Sequence, residues 1–151
     1  MFILLADSNK FYVAVLKTML SQAGFKSLEC SGNGLECLIQ INKKDNPDVI
    51  IIDESLCYVD GIDVIRKIRY TLPETRIIIL TGVESYLNTN FLPDNKSIFF
   101  MEKSSVTADN LPQVLYNIFT EKISSTKVPQ ANKVYSSLRK SFTGMLNFGT
   151  F

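Results

Sequence analysis

The stretch Val49-Ile50-Ile51-Ile52-Asp53-Glu54-Ser55-Leu56 sets four aliphatic residues directly against two carboxylates. A short, unbroken apolar run is how a strand reads when both of its faces are covered, as in a parallel sheet. A carboxylate drawn toward such a core loses hydration, and it stays charged only with compensation. Asp53 is therefore either a loop residue just clear of the core or a group held there for chemistry. Working outward from this stretch separates the two.

Similar runs recur along the chain. Phe2 to Ala6, Lys26 to Cys30, Arg76 to Leu80 and Ile98 to Met101 read as further strands. Between them lie segments with helical spacing. Phe11, Val13, Ala14, Leu16, Met19 and Leu20 form the apolar side of the first, with Ser8 or Asn9 as N-cap and Gly24 as stop. Leu35, Leu38, Ile39 and Ile41 mark the second, which Asn46-Pro47 ends. Ile62, Ile65 and Ile68 mark a third after Gly61. Ser85 to Leu92 is a weaker fourth, closed by Pro93. Asp109 to Thr120 is the last, with Leu111, Val114, Leu115, Ile118 and Phe119 apolar. Five strands alternating with five helices predict an α/β fold: a doubly wound parallel sheet with helices on both faces. In such sheets the ligand site lies beyond the carboxyl ends of the strands.

Composition narrows the chemistry. The 151 residues suit one domain with an appendage, and 46% of them are hydrophobic, enough for a substantial core. No apolar run approaches the roughly 20 residues of a membrane span, and Met1 to Asp7 lacks the basic start of a signal peptide. Cys30, Cys37 and Cys57 form an odd set without CxxC spacing and read as reduced thiols in a cytoplasmic protein. The chain has no histidine, so it cannot by itself supply a Ser-His-Asp or Cys-His centre. It has no GxxxxGK[ST] or GxGxxG loop. Charge is uneven: residues 1–122 hold fifteen acids against twelve basic residues, a net −3, while residues 123–151 carry +4 from Lys127, Lys133, Arg139 and Lys140.

The strand ends bring Asp7, Asp53, Thr81 and Lys103 to one edge of the sheet. Each alone has an ordinary reading: a helix cap or turn for Asp7, an unremarked strand-end threonine, a solvated lysine. Their conjunction suits phosphate or metal chemistry. Glu54 reads as a solvated neighbour.

With its elements in this order, the chain resembles a response-regulator receiver domain of the chemotaxis (CheY-like) type over residues 1–122. The likeness rests on Leu4-Leu5-Ala6-Asp7, Ile51-Ile52-Asp53, Val59-Asp60-Gly61, Leu80-Thr81-Gly82 and Met101-Glu102-Lys103, each weak alone but specific in order and spacing. The resemblance implies a flavodoxin-like (βα)5 sheet in order 2-1-3-4-5. It implies a signalling module, not a turnover enzyme. Asp53 would be the phosphoacceptor for a histidine kinase or histidine phosphotransfer protein. Mg²⁺ would be held by Asp7, Asp53 and the Ser55 backbone carbonyl, with Ser8 as a weak or water-mediated ligand. Lys103 would pair with phosphate or with Asp53, and Thr81 and Phe100 would act as the switch pair. Output would pass by protein contact across the fourth helix, fifth strand and fifth helix.

The chain departs from the family pattern. Ser8 stands where a second acid is usual, which should weaken Mg²⁺ binding. Cys57 and Ser104 replace customary prolines, the switch aromatic Phe100 has no hydroxyl, and the fourth-helix region contains Pro93 without the usual glycine before the fifth strand. A receiver fold used as a binding or scaffold protein without phosphorylation is thus the alternative. A flavodoxin would need a phosphate loop where Asp7-Ser8-Asn9-Lys10-Phe11 stands, and a haloacid-dehalogenase-type phosphatase would need an acid at Asn9.

Residues 123–131 read as a linker. Residues 132–151 read as a basic amphipathic helix or tail with Val134, Leu138 and Phe142 on one face. It could dock on its own domain, stay partly disordered, bind a partner, form a homodimer contact or lie weakly on a membrane surface. Four basic residues are a weak footprint for DNA, and DNA binding is not expected.

Overall fold

The computed structural model describes residues 1–43, 45–56, 61–82, 97–106 and 110–120. The chain divides into a unit of Met1–Ile118 and a unit of Phe119–Phe151, and nearly all described residues belong to the first. The expected helix at 85–92, the linker, the basic tail, Cys57 and Pro93 lie outside the described residues.

The elements run β1 (Phe2–Ala6), α1 (Lys10–Gln22), β2 (Ser27–Ser31), α2 (Gly34–Ile41), β3 (Val49–Asp53), α3 (Gly61–Thr71), β4 (Arg76–Thr81), β5 (Ile98–Glu102), a 3-10 turn (Lys103–Ser105) and α4 (Asn110–Thr120). The five strands form one sheet in order β2-β1-β3-β4-β5, and every pairing is parallel. The order reverses direction at β1. With right-handed crossovers, α1 must then pack on the face opposite α2 and α3.

The strands alternate accordingly. Leu4, Ala6, Ile50, Ile52, Ile77, Ile79 and Ile98 form one buried cluster with Cys37 and Ile41 of α2 and Val64, Ile65 and Ile68 of α3. Ile3, Leu5, Ile51 and Ile78 point the other way. Leu16 and Leu20 of α1 and Leu111, Leu115 and Ile118 of α4 are buried outside that cluster and supply the second layer. All five residues of β3 are buried, Asp53 included. Burying Val49 to Ile52 contributes roughly 2 kcal/mol per side chain. That sum holds the register of β3 against the desolvation of the single carboxylate at its end.

Local signals act as the sequence suggests. Asn9, not Ser8, caps α1, its side chain accepting from the Tyr12 amide. Gly24 ends the helix at φ 94°, with the Phe25 and Gly24 amides donating to the Leu20 and Ser21 carbonyls. This is the Schellman arrangement that favours glycine.

Other expectations need correction. Phe11 is 80% exposed and Ala14 is exposed, so the inward face of α1 is narrower than its apolar pattern. Leu35 and Ile39 are exposed too. In α2 the buried positions are Gly34, Cys37 and Ile41, with Leu38 partly buried. The eight-residue helix contacts β2 and α3 and buries the stripe that starts one step earlier. The strands β2, β3, β4 and β5 each end one residue beyond the expected limit, β2 also starts one later, and Gly61 belongs to α3; Asp109, the expected start of the last helix, lies outside the described residues. No helix among the described residues is long and apolar enough to cross a membrane.

Candidate functional site

Strand register builds the site. Ala6 pairs with Ile52, so the next residues, Asp7 and Asp53, emerge side by side. Asp53 pairs with Leu80, which places Thr81 one step further along β4. Thr81 pairs with Glu102, and Lys103 follows. Asp53 is the last residue of β3, not the first beyond it, and is only 7% exposed; Asp7 is 2% exposed. Two carboxylates thus sit at the buried rim of the sheet.

Lys103 neutralises part of this charge. Its Nζ lies 2.7 Å from Asp7 Oδ2 and 2.9 Å from Asp53 Oδ2. β3 and β5 are separated by β4, about 10 Å across two strand spacings, so a long side chain is required to bridge them. The remaining carboxylate oxygens are bonded to backbone: Asp7 Oδ1 accepts from the Asn9 amide at 2.8 Å, and Asp53 Oδ1 from the Ser55 amide at 3.3 Å. The three charged groups sum to −1.

The electrostatics follow from this arrangement. Burial pushes the Asp53 carboxyl above the ordinary value, with Asp7 adding to the effect; Lys103 and the Ser55 amide oppose it. Burial alone would lower the Lys103 ammonium, but hydrogen bonds and attraction to Asp7 and Asp53 outweigh it, and the lysine titrates above its ordinary value. The lysine is held charged, and the acid it serves is held at a cost.

Of the expected site residues, Asp7, Asp53 and Lys103 are brought into contact. Thr81 is buried at the end of β4 without a hydrogen bond to any of the three. Ser8 is half-buried in the bend after β1, and Ser55 meets Asp53 through its amide. Phe100 is half-buried against the α2–α3 core cluster.

Two residues were not anticipated here. Glu54 is not a solvated neighbour: its Oε1 accepts from the Gly82 amide at 2.7 Å, and its own amide donates to the Leu80 carbonyl at 3.1 Å. It ties the end of β3 to the segment after Thr81. Tyr12 is the other. Its ring lies under the Lys103 ammonium, 5.0 Å from Nζ to the centroid. Its position in the first turn of α1, five residues after Asp7, was the available signal. The two described thiols, Cys30 and Cys37, make no hydrogen bond to Asp7, Asp53 or Lys103. Cys30 is half-buried, and burial pushes Cys37 up to about 11, which leaves it an inert thiol.

Hard oxygen donors are what Mg²⁺ requires, and it commonly uses one or two protein carboxylates beside a phosphate ligand. Asp7 and Asp53 meet that requirement. Among the described residues no group of three or more acidic, histidine or cysteine side chains could hold a metal ion.

The fold has many counterparts among known proteins. The sequence model for "Response regulator receiver domain" matches residues 3–111. The Response regulator MprA of Mycobacterium leprae (strain TN) is 32% identical over 83 residues, 55% of this chain and 36% of that protein. A Putative transcriptional regulator of Pseudomonas aeruginosa is 27% identical over 79 residues, 52% of this chain and 38% of that protein. The match thus spans little more than a third of these relatives. Among solved structures, a response regulator receiver domain protein from Clostridium thermocellum superposes with a TM-score of 0.67 at 25% identity, covering 77% of this chain and 91% of the other. The chemotaxis response regulator CheY4 of Vibrio cholerae shares the fold with a TM-score of 0.66 at 21% identity, covering 77% and 96%.

Proposed function

Because the chain belongs to the response regulator receiver domain family, a signalling module of two-component systems, we propose that it is switched by phosphorylation of Asp53. The observation that carries this is the shared ammonium: Lys103 holds Asp7 and Asp53 together at a buried rim where two carboxylates would otherwise repel.

In this reading a carboxylate oxygen of Asp53 attacks the phosphorus of a phosphohistidine on a histidine kinase or phosphotransfer protein. The new P–O bond forms as the P–N bond breaks, and the departing imidazole keeps the electron pair and takes a proton. Attack needs an ionised Asp53, which Lys103 and the Ser55 amide favour against burial. Lys103 then offsets charge on the phosphoryl oxygens, and Thr81, one step beyond the Leu80–Asp53 pair, offers a hydroxyl to them. Mg²⁺, when bound by Asp7, Asp53, the Ser55 carbonyl and more weakly Ser8, would neutralise the phosphoryl oxygens. Thr81 and Phe100 form the switch, and a partner protein reads the result. Residues 1–122 form the receiver, 123–131 a linker and 132–151 a basic appendage, in a cytoplasmic protein without catalytic turnover of its own.

Acetyl phosphate tests this directly, with and without Mg²⁺, read by intact mass, with Asp53→Asn as control. The expected result is a gain of one phosphoryl group that requires both Mg²⁺ and Asp53. A folded protein that gains no mass at high Mg²⁺, while a known receiver in the same assay does, would support the alternative, a receiver fold that binds its partner without phosphorylation. Ser8, where the family usually has a second acid, favours that second reading.

A further inference from the structure

We infer that Tyr12 is a positioning residue of this site, its ring acting as a third support for the Lys103 ammonium. The inference rests on the phosphoacceptor reading above and adds a residue to it.

Four contacts close a ring. Asp7 Oδ1 accepts from the Asn9 amide at 2.8 Å. Asn9 Oδ1 accepts from the Tyr12 amide at 3.1 Å. The Tyr12 ring faces Lys103 Nζ at 5.0 Å, and Nζ returns to Asp7 Oδ2 at 2.7 Å. The carboxylate that holds the ammonium therefore also fixes, through the cap of α1, the aromatic face beneath it. An ammonium within about 6 Å of a ring centroid is attracted by the ring quadrupole, the more so when partly desolvated. Lys103 is such a case, with a side chain 28% exposed.

The hydroxyl is not the reason for the placement. Tyr12 Oη is buried with no hydrogen-bond partner among the described residues. An unpartnered buried hydroxyl costs stability, so what the site gains from Tyr12 is the ring. The ring also differs in kind from the other two supports. Asp7 and Asp53 are both called on when a cation and a phosphoryl group arrive, and their hold on Lys103 must then be shared. The ring engages neither ligand by charge and keeps the ammonium over the rim.

Ring and hydroxyl separate in two variants of the full-length protein, Tyr12→Phe and Tyr12→Leu. The geometry is read first by NMR: the Lys103 Hε resonances should be shifted upfield in wild type and Tyr12→Phe, and not in Tyr12→Leu. The role is read from acetyl phosphate kinetics with Mg²⁺. Tyr12→Leu should lower the maximal rate about three- to tenfold with little change in the half-saturating donor concentration, and Tyr12→Phe should restore it. No upfield shift in wild type would overturn the geometry, an assay that survives even if Tyr12→Leu does not fold. A wild-type rate in Tyr12→Leu, or an equal loss in Tyr12→Phe, would overturn the positioning role alone. A wild type that takes no phosphate, with the ring shift present, would instead remove the phosphoacceptor reading and this role with it.

Discussion

The two poles of the sheet bury charge in opposite ways. At the amino-end pole, Arg69 is buried in the last turns of α3, and its Nη1 donates to the carbonyls of Pro73 at 2.6 Å and Thr75 at 3.1 Å. Beside it, Thr75 Oγ1 donates to the Pro47 carbonyl at 2.9 Å, and Asp48 accepts from the Phe2 amide at 2.6 Å. The Arg69 Nη atoms, Thr75 and Asp48 meet complementary backbone partners, and the result is a set of clamps that also joins segments distant in sequence. At the carboxyl-end pole two carboxylates face each other with one ammonium between them. Charge buried for architecture is matched by carbonyls and amides that never change. The three charged groups of the carboxyl-end pole sum to −1, an imbalance that suits the arriving ligand of the proposed switch.

Removing the clamp should have the largest effect on stability. Arg69→Ala strips three carbonyls, Pro73, Thr75 and, by a long contact, Ser97, of their donor. A loss of about 3 kcal/mol is expected in urea denaturation. A loss below about 1 kcal/mol would show that the amino-end pole is not the more firmly built one.

The site pole should respond less, and in a way that depends on cation and pH. Lys103→Met leaves Asp7 and Asp53 facing each other without their ammonium, and should cost about 2 kcal/mol at neutral pH in chelator, less in millimolar Mg²⁺. The same contribution has a pH signature in wild type. The Lys103 value is raised on folding, so its stabilisation is fully present below the ordinary 10.5 and is lost as pH climbs through the higher folded value. Above pH 10.5 the melting temperature should therefore fall more steeply for wild type than for Lys103→Met. Parallel curves would break the comparison.

The smallest effect should have the opposite sign. The Asp53 value is raised on folding, so ionised Asp53 opposes the fold above that value, and the penalty vanishes only below the ordinary 3.8. Asp53→Asn removes the charge and keeps the shape. It should raise stability at pH 7 by about 1 kcal/mol in the absence of divalent cations. A decrease would place Asp53 with the matched groups of the other pole.

Much of this molecule was determined by sequence alone. The aliphatic runs of β1, β3 and β4 are strands because nothing but a core accepts them on both faces, and Asn9 and Gly24 bound α1 through local backbone chemistry. The polar ends Asp7, Asp53 and Lys103 follow from where those runs stop, so the rim was legible wherever an element boundary and a functional group coincide. Tertiary structure alone decided the rest. Leu35 and Ile39 have the apolarity of core residues but face away, because a helix of eight residues against a sheet edge buries one narrow stripe, and packing with α3 selects Cys37 and Ile41. Glu54 looks solvated beside Asp53, yet it binds the Gly82 amide, 28 residues onward, because β4 lies next to β3. Tyr12 reads as one more side chain of an amphipathic helix until the crossover of α1 sets it beneath a lysine from the far side of the sheet. Short-range chemistry is written in neighbouring residues. A contact between elements depends on strand order and helix rotation, which the whole core settles together.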